Sequence, residues 1–325
     1  MESTKLLAAA AAGALAFSIP ACVHAQSARI GPDKDMAELT MISRVMNGYT
    51  VNANIAYKTV AGWEGRLDVY IPRNLKAPNP TVVYYHGGGW VTGSKEERSL
   101  LLLPYLLKGW TVVNVEYRLS GQAPAPAAAE DAWCALQWVY DNANGSFHSS
   151  TGQMPYYFDT SRIVTTGTSA GGHLALLVGM APSSAGFGKD CSARTPGELK
   201  VAAIVDWFGI ADVSEFLGPV GSHSLANDWI GTQADSAQIA RQVSPIAYVR
   251  KGVPPIISLH GDADPIVPFE GKRLFHQALE SVGADHKLIP IPGGGHGIFK
   301  PEQNLEGYAA IWDFLASRGL EPAAR

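Results

Sequence analysis

The chain has 325 residues, with 25 Lys and Arg against 29 Asp and Glu. The resulting net charge of −4 is spread along the chain, which excludes a strongly basic nucleic-acid binder and an acidic tail. With 46% hydrophobic and 17% charged residues the chain can bury a sizeable core, which excludes a disordered protein.

Residues 1–25 read as a secretory signal peptide. Lys5 gives a positive start, Leu6 to Ile19 an apolar run, Pro20 a break, and Val23-His24-Ala25 a small-x-small cleavage site. The run falls short of the ~20 residues that span a bilayer. A lipoprotein signal is the weaker alternative, since Ile19-Pro20-Ala21-Cys22 is a lipobox only with an unusual proline. The chain is therefore expected to be secreted or periplasmic, with no membrane partner after cleavage. Residues 26–325 are expected to form one domain, with no repeat and no linker. The mature stretch 27–60 is a candidate cover for the site.

From residue 66 strand-like and helix-like segments alternate. Strands are expected at Arg66–Ile71, Thr81–Tyr85, Trp110–Tyr117, Arg162–Thr166, Val201–Phe208, Pro255–His260 and Lys287–Ile291. Helices are expected at Ser99–Leu107, Ala127–Asn142, Gly171–Gly179, Glu270–Val282 and Gln303–Ala316. Such alternation means an α/β fold, a mostly parallel sheet flanked by helices. Residues 208–253 are long for a simple connection and form either a crossover with an extra helix or a partial lid.

The strongest chemical signal is Gly167-Thr168-Ser169-Ala170-Gly171, between an expected strand and an expected helix. That is the setting of a nucleophile elbow, with Ser169 as nucleophile. Small neighbours are required because the turn is tight. His86-Gly87-Gly88-Gly89-Trp90 follows another strand. Its Gly88 and Gly89 N–H groups, with that of Ala170, would form an oxyanion hole. It has neither the GxGxxG spacing nor the lysine of a phosphate loop. A base is available at His296, in Gly293-Gly294-Gly295-His296-Gly297. Both Asp262 and Asp264, in His260-Gly261-Asp262-Ala263-Asp264, qualify as its carboxylate, and the order Ser, Asp, His suits this fold. His86, His173 and His260 are expected to brace loops, and His148, His223, His276 and His286 to be solvated.

Together these segments resemble the α/β-hydrolase superfamily, most closely its feruloyl-esterase-like (BD-FAE type) and hormone-sensitive-lipase-like carboxylesterases. The matching residues are HGGGW at 86–90, EYRLS at 116–120, GTSAGGH at 167–173, DWFG at 206–209, HGDADPIVP at 260–268 and GGGHG at 293–297. The resemblance implies Ser169, Asp264 and His296 as the triad, and Glu116, Tyr117, Arg118 and Asp131 as structural polar positions. The segment Gln122–Ala128 departs from the family pattern and leaves one pocket wall undetermined. The insertion Gly145–Tyr157 is expected at the sheet end away from the site. The same topology sets Cys134, in a helix leaving the site, and Cys191, in a far loop, at different heights. A disulfide between them is therefore not expected.

The resulting expectation is an exported serine carboxylesterase acting on short-chain or aromatic acyl esters, small or polymer-linked, without a cofactor or metal. Its base works in the neutral form, so activity is expected to fall in acid. An amidase or peptidase of arylformamidase type would use the same triad. A non-catalytic binding module is disfavoured by the intact set of three residues.

Overall fold

The β-branched and aromatic runs become the strands of one eight-stranded sheet in a computed structural model that describes residues 32–143, 156–191, 199–219 and 223–323. The expected signal peptide, His148 and most of the insertion at 145–157 lie outside the described residues. Residues 1–40 and 41–325 form two units. Helix α1 (Pro32–Gly48) begins in the first, and everything that follows belongs to the second.

The strands are β1 (Tyr49–Val60), β2 (Trp63–Pro72), β3 (Asn79–Tyr85), β4 (Thr111–Val115), β5 (Phe158–Thr168), β6 (Ala203–Trp207), β7 (Ile256–Gly261) and β8 (His286–Ile291). Their order is β1-β2-β4-β3-β5-β6-β7-β8, antiparallel where β2 meets β1 and β4, and parallel from β4 to β8. Every residue of β3, β4, β6 and β7 is buried, as parallel strands covered on both faces require.

The other helices are α2 (Leu103–Leu107), α3 (Ala127–Asp141), α4 (Ala170–Met180), α5 (Leu225–Ile230), α6 (Ser236–Gln242), α7 (Phe269–Ser281) and α8 (Pro301–Ala316). Apolar residues of α3, α4, α5, α6 and α7 share one core cluster, and those of α2 and α8 share the other. This is the α/β-hydrolase arrangement. All parallel strands deliver their C-terminal ends to one edge, where ligands bind in open α/β sheets.

Four details differ from the sequence reading. The stretch 27–60 supplies β1, which turns into β2 through Ala61 and Gly62, both at positive φ (47° and 81°). That backbone matches the twist of a two-residue hairpin. The expected helix 99–107 divides into a 3-10 turn (Ser99–Leu102) and α2, which begins with Pro104 in its first turn.

The third difference concerns Cys134 and Cys191, which are bonded, with Cα atoms 5.1 Å apart. The two cysteines do not sit at different heights because the chain doubles back after α4. It turns through Ser183–Ala185 and left-handed Gly186 and then runs along α3, with Phe187 packed on Trp133. Cys191 thereby reaches the middle of α3. Closing a loop of 57 residues stabilises the fold by about 4 kcal/mol in a chain-entropy account.

The fourth is His276, which is buried rather than solvated, with Nδ1 2.9 Å from Nδ1 of His286. His223 is exposed, as expected.

Burial, joined by the nearby Lys272 charge, lowers His276 from 6.5 to about 3. Burial lowers His173 from 6.5 to about 4, against a hydrogen bond to the Val243 carbonyl that favours the proton. Both are neutral in the fold, so the unfolded chain takes up protons first as pH falls below 6.5. Stability that is present above that pH is then lost toward about 4 and 3. The melting temperature is expected to drop between pH 6.5 and 4, and His276→Gln should flatten the drop when melting is followed across that window. An unchanged slope would contradict this account.

Candidate active site

Ser169 is the single residue between β5 and α4, held at φ 55°, ψ −120°. A non-glycine residue pays about 1–3 kcal/mol for such a conformation, so the surroundings must impose it. They do: its N–H donates to the Trp207 carbonyl (2.9 Å), and its own carbonyl accepts from His173 N–H (2.9 Å). Gly171 allows the close approach, because a Cβ there would lie 2.0 Å from the Tyr85 carbonyl oxygen.

The structure brings Ser169, His296 and Asp264 into one hydrogen-bonded line. Ser169 Oγ is 2.8 Å from His296 Nε2, and His296 Nδ1 is 2.8 Å from Asp264 Oδ2. The serine comes from the end of β5, the aspartate from the turn after β7 and the histidine from the loop after β8. Asp264 Oδ1 accepts from the N–H groups of Ile266 (2.8 Å) and Val267 (2.9 Å). Burial alone would raise this carboxyl. Hydrogen bonds from His260, His296, Val267 and Ile266 outweigh it and hold the group well below the ordinary 3.8.

Asp262 plays a different part: its Oδ1 accepts from Gly293 N–H (2.6 Å), pinning the start of the loop that carries His296. The Phe208 and His296 rings pack in a T-shaped arrangement, with centroids 4.9 Å apart.

In the loop after β3, Val91 and Thr92 N–H groups both donate to the Gly88 carbonyl (3.0 Å each). Both Gly88 and Gly89 line the same cavity as Ser169 and His296. Gly88 has φ 129°, and a Cβ there would fall 2.0 Å from Thr92 O, so only glycine fits. Ala170 is fully buried at the first position of α4, where a helix N–H has no intrahelical acceptor.

Buried aromatics hold this loop. Tyr117 O–H donates to the His86 carbonyl (2.8 Å) and its ring stacks on His86. Trp90 stacks on Trp229 and donates from Nε1 to His173 Nδ1 (3.2 Å), while His173 Nε2 donates to the Val243 carbonyl (2.6 Å). His86 and His173 therefore brace the site, as expected. Glu116, Tyr117, Arg118 and Asp131 have structural partners too, with Arg118 donating to both Asp131 oxygens (2.7 and 2.8 Å).

A cavity of about 520 Å³ opens onto Ser169 and His296. Trp207 and Phe208 line it, whereas Trp90 and Trp229 are buried in the core. The sequence reading missed Tyr84, Tyr105, Phe299 and Tyr308, which line it as well. The signal for Tyr84 was the strand alternation of TVVYY, in which Tyr84 and Tyr85 must face opposite sides. From the segment 208–253, Leu225 and Asp228 reach the cavity through α5 and its neighbourhood. None of Gln122–Ala128 lines it among the described residues. Also among the described residues, no three His, Cys, Asp or Glu side chains are grouped to hold a metal.

A family model described as BD-FAE matches residues 67–279. Esterase LipQ of Mycobacterium tuberculosis is 29% identical over 237 residues, covering 69% of this chain and 51% of the relative. The chain thus spans about half the length of the curated relatives it matches. A truncated carbohydrate esterase from gut microbiota superposes with a TM-score of 0.68 at 26% identity, covering 84% of this chain and 98% of that one. The thermophilic esterase Est2 of Thermogutta terrifontis does so with a TM-score of 0.67 at 26% identity, covering 85% and 94%.

The two aspartates make separable predictions. Asp264→Asn is expected to lower ester turnover by about 10⁴-fold, the loss that follows when a triad histidine is held in the wrong tautomer. Asp262→Asn should act only through the loop and cost far less. Steady-state rates of both variants decide, and the reverse order would contradict the geometry.

Proposed function

The chain belongs to the BD-FAE family, and on that footing we propose that it is an exported serine carboxylesterase working through an acyl-enzyme. The observation that carries the reading is the unbroken line Ser169 Oγ, His296 and Asp264, with both contacts at 2.8 Å. Ser169 attacks the ester carbonyl while His296 Nε2 takes its proton. Asp264, ionised and fixed by its four donors, stabilises the imidazolium that forms. The N–H groups of Gly88, Gly89 and Ala170 receive the oxyanion, each worth about 3 kcal/mol in the transition state. His296 then returns the proton to the leaving alcohol, and water repeats the sequence on the acyl-enzyme.

The cavity supports an aromatic acyl group. Tyr84, Tyr105, Trp207, Phe208, Phe299 and Tyr308 surround the space beside Ser169. Burial pushes Tyr84 up to about 12 and raises Tyr105 and Tyr308 as well, so their hydroxyls stay protonated. A planar acyl group with polar ring substituents suits such walls better than a long alkyl chain. The names of the relatives, all esterases, support an ester over an amide. The Cys134–Cys191 disulfide supports export, since such bonds persist in oxidising compartments.

The test is a panel of p-nitrophenyl esters of rising chain length, methyl ferulate and matched anilides, run on the wild-type protein and on Ser169→Ala. Ester turnover is expected to exceed anilide turnover, aromatic acyl groups to outperform octanoyl and longer chains, and Ser169→Ala to lose at least 10³-fold while remaining folded. Retained activity in Ser169→Ala would overturn the mechanism. A preference for long chains would overturn the substrate class.

A further inference from the structure

The carboxylate that faces His296 is held by a second histidine. His260, the fifth residue of β7, is fully buried, and its Nε2 lies 3.3 Å from Asp264 Oδ2 and 2.8 Å from the Val267 carbonyl. A carbonyl oxygen only accepts, so Nε2 carries the proton and donates it to Val267, with Asp264 Oδ2 3.3 Å from the same nitrogen. Oδ2 therefore bonds His296 Nδ1 and also lies 3.3 Å from His260 Nε2, while Oδ1 takes the two amides of the following turn.

His260 also faces inward. Its Nδ1 is buried and without a hydrogen-bond partner. Asp206 of β6 is within electrostatic reach of His260, bonded to Lys272 of α7 and accepting from Gly209 N–H (2.9 Å). The ring of Phe269 packs against His260 in a T-shaped arrangement, with centroids 5.8 Å apart. A loop brace needs only the bond to Val267. The added contact to the triad oxygen is what a bracing role leaves unexplained.

We propose that His260 is a positioning residue for the Ser169 reaction, donating to Asp264 Oδ2 so that its remaining lone pair stays directed at His296. The proposal rests on the esterase reading given above. Without His260, Oδ2 keeps only its contact with His296 Nδ1, and nothing on the opposite side restrains it from swinging off that line during proton transfer. The effect then falls on the chemical step rather than on substrate binding.

The experiment is a double-mutant cycle on His260 and Asp264, with active sites counted by stoichiometric reaction with an aryl dialkyl phosphate. His260→Leu should lower kcat roughly tenfold or more, the scale of a lost hydrogen bond to a charged group, with KM within about twofold. In an Asp264→Asn background the same change should cost little, because the oxygen it serves is already impaired. His260→Gln keeps a donor at the same distance from the backbone and should recover most of kcat. Equal losses from His260→Leu in both backgrounds, or a rise in KM at constant kcat, would overturn the proposal in favour of a purely structural role. If His260→Leu does not fold, His260→Gln carries the cycle: kcat within about threefold of wild type supports the proposal, and equal tenfold losses in both backgrounds overturn it. A wild-type protein that turns over no ester, or a Ser169→Ala that keeps pace with it, is a failure of the esterase reading instead. That outcome is seen before the cycle begins.

Discussion

The first turn of α4 crosses the ends of β3 and β5 with no room for side chains: a Cβ on Gly171 would sit 2.0 Å from Tyr85 O, and one on Gly167 2.4 Å from the Gly171 carbonyl carbon. This approach forces Ser169 to positive φ and presents its hydroxyl to the cavity instead of the core. It also brings the loop after β3 alongside, since a Cβ on Gly87 would lie 2.8 Å from Thr168 O. Candidate nucleophile and candidate oxyanion donors are therefore products of one packing constraint. The strain at Ser169 is offset by the fully buried strands and by the helix that starts at Ala170.

Around that turn, buried charges serve as fasteners. Arg118, just past β4, and Lys58 of β1 both bind Asp131 on α3. Lys95, in the stretch after the glycine-rich loop at 86–90, binds Asp68 of β2. Lys272 on α7 binds Asp206, whose other oxygen fixes the turn at Gly209 that leads away from Phe208. Such pairs add little net stability, because desolvating the charges consumes most of the attraction. Breaking one leaves a buried charge alone, so each fixes the register of the segments it joins.

The chemical loops were legible in the sequence because each demands residues that little else explains. GTSAG at 167–171 needs small neighbours, HGGGW at 86–90 needs open amides, and the glycines around His296 let a late loop reach back across the sheet. Most of the parallel strands were legible from short runs rich in β-branched or aromatic residues. β1 was not, because only Tyr49, Tyr57 and Lys58 of its twelve residues are buried, and an edge strand needs no alternation. The disulfide was hidden by the return path through Gly186, which no local pattern announces. The placing of His276 in the interior and of Tyr84, Tyr105 and Tyr308 around one cavity depends on pairing between distant segments. Asp262 and Asp264 were equivalent as residues. Only the turn that gives one the Gly293 amide and the other His296 separates them.

The central claim is that Ser169 is the atom source of the acyl-enzyme. The most direct measurement is the mass of the peptide containing Ser169 after brief reaction with p-nitrophenyl acetate and acid quench, alongside all other peptides. The account predicts an acetyl adduct on Ser169 alone, formed as p-nitrophenol is released and absent from His296→Ala. Ester turnover with an adduct on another residue, or with none on Ser169 under conditions where deacylation is limiting, would contradict it.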